Sequence, residues 1–484
     1  MNPEHDVTPT HPQHRWLALI VLCSGVLMIV LDTTIVNVAL PSIRADLRFT
    51  DAGLVWVVNA YLLTFGGCLL LGGRLGDLYG HRRLFLIGLA LFTLASLACG
   101  IAGTQMLLVV ARAVQGIGGA VVSAVALSLI TTLFPEPAER AKAMGIYGFV
   151  CAGGGCLGVL LGGLLTSSFG WHSVFLVNLP IGVIVFALCL RLVPVVRVTL
   201  QHRSLDMAGA VTVTAALMLA VYAIVGGNEA GWSSPRTLSL LAAAAILLCM
   251  FLAIEARVRA PLMPLAMFRL RNIAVSNIVG MLWAAAMFAW FFITALYMQL
   301  VLGYSPMQVG LAFFPSDLIM AIFSLGLSAK VVMRFGLRKP ALAGLLLAAF
   351  GLLLFAVAPR DGNFPLHILP GMVLLGIGAG LAFNPVLLAA MSDAKPEDAG
   401  LASGLVNTAF MMGGALGLAV LASVAAARTA ALGGAASAAA LTSGYHAAFG
   451  AGAVFAVIAG LLCLLLREGE HAPQGSEAAG EPAA

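Results

Sequence analysis

The sequence predicts an all-α protein that crosses a bilayer fourteen times, as two six-helix bundles with two further helices inserted between them. Three observations carry this. Of 484 residues, 61% are hydrophobic and only 9% charged, against about 25% charged in soluble domains. Fourteen apolar runs recur along the chain, each near the ~20 residues a helix needs to span a bilayer. The two ends of the chain also resemble each other at an offset near 258 residues.

The runs cover 16–40, 53–73, 83–103, 105–133, 144–166, 171–194, 207–226, 237–254, 273–301, 308–330, 341–358, 366–391, 400–425 and 446–466. The first follows a polar stretch and is too long for a signal-peptide core, so no cleavable signal is expected. An even number of spans puts both termini on one side. Loops on that side hold nineteen Lys and Arg residues and the opposite loops hold five, which predicts cytoplasmic termini. The expected organisation is a cytoplasmic tail (1–15), an N-terminal six-helix bundle (16–194), a linker with two extra helices (195–272), a C-terminal six-helix bundle (273–466) and a tail (467–484). That last segment, rich in Gly, Ala and Glu, reads as disordered. The eight cysteines sit in apolar runs without metal-ligand spacing and are read as small core residues. The net charge of +5 is no nucleic-acid footprint, and no nucleic-acid partner is expected.

The repeat has three anchors. "PAERAKAMGIYGFVCAGGGCLG" (137–158) lies over "PEDAGLASGLVNTAFMMGGALG" (396–417), "GIGGA" (116–120) over "GIGAG" (376–380), and "YGHRR" (79–83) over "FGLRK" (335–339). A parallel repeat of this kind is the build of a large transporter class, with the substrate between the halves near mid-membrane. Runs seven and eight have no partner in it and read as an insert.

Within this frame a few residues carry chemistry. Asp32 stands in "LMIVLDTTIVNVAL" (27–40), where an acid costs about 2.5–3.5 kcal/mol on insertion scales. Arg112 in "ARAVQGIGGA" (111–120) shares a helix face with Gln115, Gly116 and Gly119. By helical rise Arg112 lies about 10 Å, and Asp32 about 13 Å, from the same outer face. Pairing the two would lower the cost of each; a fixed ion pair that only locks helices is the plainer alternative. "GGRLGDLYGHRR" (72–83) puts Gly73, Gly76, Asp77, Gly80, Arg82 and Arg83 in one loop. Positive-inside anchoring would account for its arginines, a gating loop for the whole set. Met333 stands at the Asp77 position of the second copy. Gly154, Gly158 and Gly162, with Gly163 beside them, form a close-packing stripe. Trp283 and Trp290, seven apart, are lipid or core contacts or else a wall for aromatic or cationic ligands. Asn37, Asn59, Tyr61, Gln115 and Asp317 are further polar positions in apolar runs and complete a candidate substrate cavity. In the 256-residue register of the two loops Asp317 falls opposite Tyr61. No phosphate loop, metal cluster or catalytic dyad is present in the sequence, so neither an enzyme nor an ATP-driven pump is expected, and no cofactor.

These residues resemble the major facilitator superfamily, and within it the fourteen-helix drug:proton antiporters of the EmrB/QacA type, over roughly 16–466. "LDTTIVNVALPSI" (31–43), "GRLGDLYGHRR" (73–83), "LLVVARAVQGIGGA" (107–120), "WHSVFLVNLPIG" (171–182) and "YMQLVLGYSPMQVGLAFFP" (297–315) carry the likeness. The family's helix-five motif has a proline where this chain has Val159. The resemblance implies a major facilitator fold, proton coupling through Arg112, and export of small amphipathic or cationic compounds from the cytoplasm. The alternative is export of an endogenous lipid, siderophore or self-made antibiotic by the same machinery. The expected partners are a small-molecule substrate, protons and the lipid bilayer. The chain is read as a monomer in a bacterial inner membrane, with a periplasmic adaptor left open.

Overall fold

The computed structural model describes residues 12–134, 136–194, 206–258, 261–323, 327–394, 399–434 and 437–467; the expected disordered tail and most of the first tail lie outside them. Sixteen α-helices make up the described part. They are α1 (Pro12–Leu47), α2 (Asp51–Tyr79), α3 (His81–Gly100), α4 (Gln105–Leu133), α5 (Pro137–Phe169), α6 (Ser173–Leu176), α7 (Asn178–Leu192), α8 (Met207–Ala230), α9 (Pro235–Glu255), α10 (Arg271–Leu296), α11 (Pro306–Ile322), α12 (Ser328–Phe335), α13 (Arg338–Ala356), α14 (Leu369–Ser392), α15 (Ala399–Ala431) and α16 (Ala438–Leu462). Among the described residues thirteen spans are long and apolar enough to cross a membrane, and α11 is a shorter apolar helix. The sixth expected span, Ser173–Leu192, runs through α6 and α7 with a single turn residue, Val177, between them.

Local sequence explains the starts. Thr50, Thr104, Asp206, Ser234 and Ser437 each accept a backbone N–H from the first turn of α2, α4, α8, α9 and α16. Ser305 and Gln308 form a reciprocal capping box at α11. Two of the turns that hold glycine at positive φ belong to the matched loops of the repeat. Gly80 (φ 92°) separates α2 from α3, and Gly336 (φ 76°) separates α12 from α13, a left-handed region that a Cβ disfavours. The two loops matched in the sequence repeat thus pivot on the same backbone device.

Packing repeats as the sequence does. α4 lies against α2 and α3, and α14 against α11 and α13; α1 pairs with α5, and α10 with α15. Glycines make these approaches possible. A Cβ on Gly116 would lie 2.5 Å from the Tyr61 carbonyl, and one on Gly376 would lie 2.6 Å from that of Ser316. In lipid, where apolar burial drives association little, such close backbone contact is what joins helices. Two seams join the bundles, α2 with α15 and α5 with α11. α8 packs on α2 and α15, and α9 packs on α8. Large apolar side chains such as Leu94 and Ile246 stay exposed, as a lipid-facing surface requires. Of the cysteines, Cys23, Cys99, Cys156, Cys189 and Cys463 are buried, Cys68 and Cys151 are half-buried, and Cys249 is exposed.

Candidate functional site

Inside the N-terminal bundle five helices converge on Asp32, which is fully buried. Arg112 Nη1 donates to Asp32 Oδ2 at 2.5 Å and to Gln115 Oε1 at 2.7 Å, and Arg112 Nε donates to the Val57 carbonyl at 2.9 Å. Gln115 Nε2 donates to Asp32 Oδ1 at 2.7 Å and to Ser96 Oγ at 2.8 Å. Asn178 Nδ2 donates to Asp32 Oδ1 at 3.1 Å. The guanidinium lies 4.4 Å from the centre of the Tyr61 ring, a stacking arrangement that holds a cation without a counter-charge. Asp32 thus accepts three hydrogen bonds, and Gln115 touches both ends of the ion pair. Periodicity explains the convergence: one turn of α4 carries Arg112 and Gln115 toward Asp32, while Gly116 and Gly119 on the same face press against α2.

Two members, Ser96 and Asn178, are not among the candidates the sequence supplies. Both are polar positions within apolar runs, which is the signal that singles out Asp32. Gln115 and Tyr61, expected on a substrate cavity, belong to this network. Asn37 donates to the Thr33 carbonyl one turn back. Asn59 bridges the halves, its Nδ2 donating to the Ala415 carbonyl at 3.0 Å.

The glycine stripe of α5 faces α1. A Cβ on Gly154 would meet Leu27 and Val30 at 3.0 Å, one on Gly158 the Leu31 carbonyl at 2.9 Å, and one on Gly162 the Ile35 carbonyl at 2.7 Å. Gly163 faces the other way, where its Cβ would lie 2.8 Å from the Pro306 carbonyl of α11. One helix therefore touches Asp32's own helix and the opposite bundle.

In the 72–83 loop Arg82 Nη2 donates to the Leu190 carbonyl at 2.5 Å, near the end of α7; a cation suits a helix C-terminus. Arg83 is exposed, a Cβ on Gly76 would press on His81 and Val125, and one on Gly73 would have room, meeting only Ala124 at 4.0 Å. The Asp77 side chain lies outside the described residues.

In the C-terminal bundle Trp283 lines a pocket between α10, α14 and α15, together with Val279, Phe383, Asn407 and Phe410. Trp290 instead packs on Phe291 and Phe313, at 4.5 and 5.5 Å. Asp317 is 2% exposed, and its Oδ2 has no hydrogen-bond partner among the described residues. It lies within electrostatic reach of Cys156 on α5. The packing register is one residue off the loop register. Gly376 rests on Ser316 as Gly116 rests on Tyr61, so Asp317 corresponds to Leu62.

Away from the chain ends, the halves are fastened to each other. Gln299 Nε2 donates to the Val38 carbonyl at 2.9 Å, and the Met307 N–H donates to Ser167 Oγ at 3.2 Å.

The family model described as Major Facilitator Superfamily matches residues 22–418. The chain is 42% identical over 410 residues to the cephamycin export protein CmcT of Amycolatopsis lactamdurans, an alignment covering 84% of each chain. It is 39% identical over 419 residues to the puromycin resistance protein pur8 of Streptomyces alboniger, covering 86% of this chain and 83% of that one. To the tetracenomycin C resistance and export protein of Streptomyces glaucescens it is 35% identical over 406 residues, covering 84% and 75%. With its helical repeat and a family match across most of its length, the chain belongs to the Major Facilitator Superfamily.

Proposed function

We propose that the protein is a proton-coupled exporter of small organic compounds working by alternating access, and that the Asp32–Arg112 pair with Gln115 couples proton binding to the motion. The observation that carries this is a charge pair enclosed at membrane depth with every Asp32 contact made by a side chain on another helix. To take a proton at Asp32, the carboxylate must release donors. A shift of α1 against α4 and α7 would do that. Arg112 would keep the Val57 carbonyl, the Gln115 oxygen and the Tyr61 ring. A proton bound at Asp32 would then favour one arrangement of the bundle and its loss the other. One charge moving through 100 mV supplies about 2.3 kcal/mol.

The glycine contacts of α5 support a route from this site to the opposite bundle, since the same helix touches α1 and α11. Asp317, in the α5–α11 seam, is proposed as a second proton carrier that exchanges when the seam opens to water. The fastening at Val38–Gln299 supports a state closed at the face away from the termini. Both termini are proposed to be cytoplasmic, on the count of basic loop residues, and the membrane to be a bacterial inner membrane.

The relatives named for cephamycin, puromycin and tetracenomycin C support an antibiotic-like substrate, and two of those names include export. Export of a compound the producing cell makes itself is therefore a second reading, with the same machinery. Uptake of substrate into inverted vesicles, whose cytoplasmic face is outward, tests the proposal with and without an imposed pH gradient. Collapse of the gradient should abolish uptake, and undiminished uptake without it would remove proton coupling.

A further inference from the structure

The inserted pair α8–α9 closes at its base on two acids. Asp206 caps α8 and Glu255 ends α9, and they are only 4% and 3% exposed. Each has one oxygen held by a backbone N–H. Asp206 Oδ1 accepts from Gly209 at 2.7 Å, and Glu255 Oε2 accepts from Met263 at 3.0 Å. The other two oxygens, Asp206 Oδ2 and Glu255 Oε1, are buried and meet no donor among the described residues. They face one another. The two carboxyls are within hydrogen-bonding reach, and a Cβ on Gly209 would lie 2.5 Å from one oxygen and 2.8 Å from the other.

Carboxylates only accept hydrogen bonds, so as ions neither acid can satisfy the other, and two like charges would stand together out of water. One proton resolves both: it neutralises a charge and supplies the O–H that the facing oxygen lacks. Among the described residues Asp206 is the one charged side chain that acts on Glu255. α2 packs here through Leu71 and carries Cys68 and Arg74 on this stretch, α9 carries Cys249 and is followed by Arg257, and none of these is bonded to either acid. α15 packs here through Met412, and its one charged residue, Arg428, lies near its other end. Glu229 and Arg236 stand at the far ends of α8 and α9. Arg197, His202, Arg203 and Arg259 lie outside the described residues. A divalent cation takes about six oxygens or more, and two are unmet here.

We propose that Asp206 and Glu255 form a proton-binding site apart from Asp32, in which one proton shared between Oδ2 and Oε1 at neutral pH fastens the chain after α9 to the start of α8. What the pair fastens lies across the two bundles. Leu262 packs on Ala210 and on Leu71 of α2, while Met263, whose N–H the pair holds, packs with Val213, Phe251 and Met412 of α15. The same stretch leads into α10, the first helix of the C-terminal bundle. Raising the pH until the proton leaves sets two charges face to face and loosens this joint.

The test is infrared spectroscopy of the full chain in lipid nanodiscs, without a gradient and with a chelator present, counting protonated carboxyls by their carbonyl stretch. Glu255→Gln and Asp206→Asn keep the shape of each side chain. Each new amide accepts the same backbone N–H and donates to the facing carboxylate. At neutral pH each variant should lose one protonated carboxyl per chain relative to wild type. The double variant, Asp206→Asn with Glu255→Gln, should also lose one, because one proton serves both acids. Amide exchange of residues 261–268, corrected for its intrinsic rate, should quicken in wild type as the pH is raised and that band disappears, and stay flat in Glu255→Gln. No loss in either single variant would mean that both acids are ionised, and a loss of two in the double that each has its own proton; either result overturns the shared site. So does a wild-type exchange profile as flat as that of Glu255→Gln, or loss of the band when magnesium or calcium replaces the chelator. No gradient is used, so a failure of proton-driven transport leaves these counts unchanged.

Discussion

Consider removing the Asp32–Arg112 pair one charge at a time and then together. In Asp32→Asn the new amide has one oxygen for two sets of donors. If its oxygen faces Gln115 and Asn178, its NH2 meets Arg112 Nη1, which now stands 2.5 Å from an acceptor. If it turns over, the NH2 meets the Gln115 and Asn178 amides, at 2.7 and 3.1 Å from the other acceptor. Either way donor faces donor, and Arg112, 1% exposed, loses its counter-charge. Breaking a buried pair this way costs about 3–5 kcal/mol. Arg112→Met strands Asp32 at a similar cost. The double variant, Asp32→Asn with Arg112→Met, is different. Its introduced amide oxygen accepts from Gln115 and Asn178, and its introduced NH2 reaches the Gln115 oxygen that the guanidinium vacates. Replacing both members of a buried pair is near neutral, so the double should fall at least about 3 kcal/mol short of the summed losses. Thermal denaturation of the purified proteins would rank the four, with the double close to wild type. Gradient-driven efflux should be lost in all three variants. A double variant that is stable and still pumps on a pH gradient would refute the coupling role, and one as unstable as the two losses added would refute the pairing geometry.

Other outcomes follow from the same contacts. Gly158→Ala should cost about 1–3 kcal/mol as an overpacked contact, because its Cβ would lie 2.9 Å from the Leu31 carbonyl. Gly155→Ala, with nothing within 4 Å, should be near neutral in the same melts, and equal losses would dismiss the α1–α5 seam as the reason for the stripe. Asp317→Asn should lower the protons moved per substrate by one, read as a shift in reversal potential in proteoliposomes; an unchanged ratio would leave Asp317 a packing residue. Reporter fusions after Leu466 and within 335–340 should both read cytoplasmic, and a periplasmic signal at either would break the fourteen-span arrangement and the repeat with it.

The fold is largely legible in the sequence because a bilayer writes span length directly into hydropathy. Where sequence and structure part, the reasons are local. Run 171–194 reads as one span by length, although Asn178 and Pro180 just after Val177 mark the turn there. Asp32 and Arg112 stand out because charge is rare at that depth. Ser96 and Asn178 do not, since a small polar side chain inside an apolar run could serve its own helix, as Asn37 does. The Asp317 register slips by one because the two loops align at an offset of 256 while the helices pack at another, and one residue turns a helical position by about 100°.

The inserted pair α8–α9 has a bearing on how lipophilic molecules reach the interior. The two bundles meet along two flanks, α2 with α15 and α5 with α11, and by internal symmetry these would be equivalent doors to the membrane. They are not, because α8 is laid along the first, with Thr214 against Gly67 and Asn228 Nδ2 on the Ser423 carbonyl at 2.7 Å. A compound dissolved among the acyl chains would meet α8 before the α2–α15 seam, whereas among the described elements no inserted helix lies along α5–α11. Two flanks that the repeat would make alike therefore present different surfaces to the lipid.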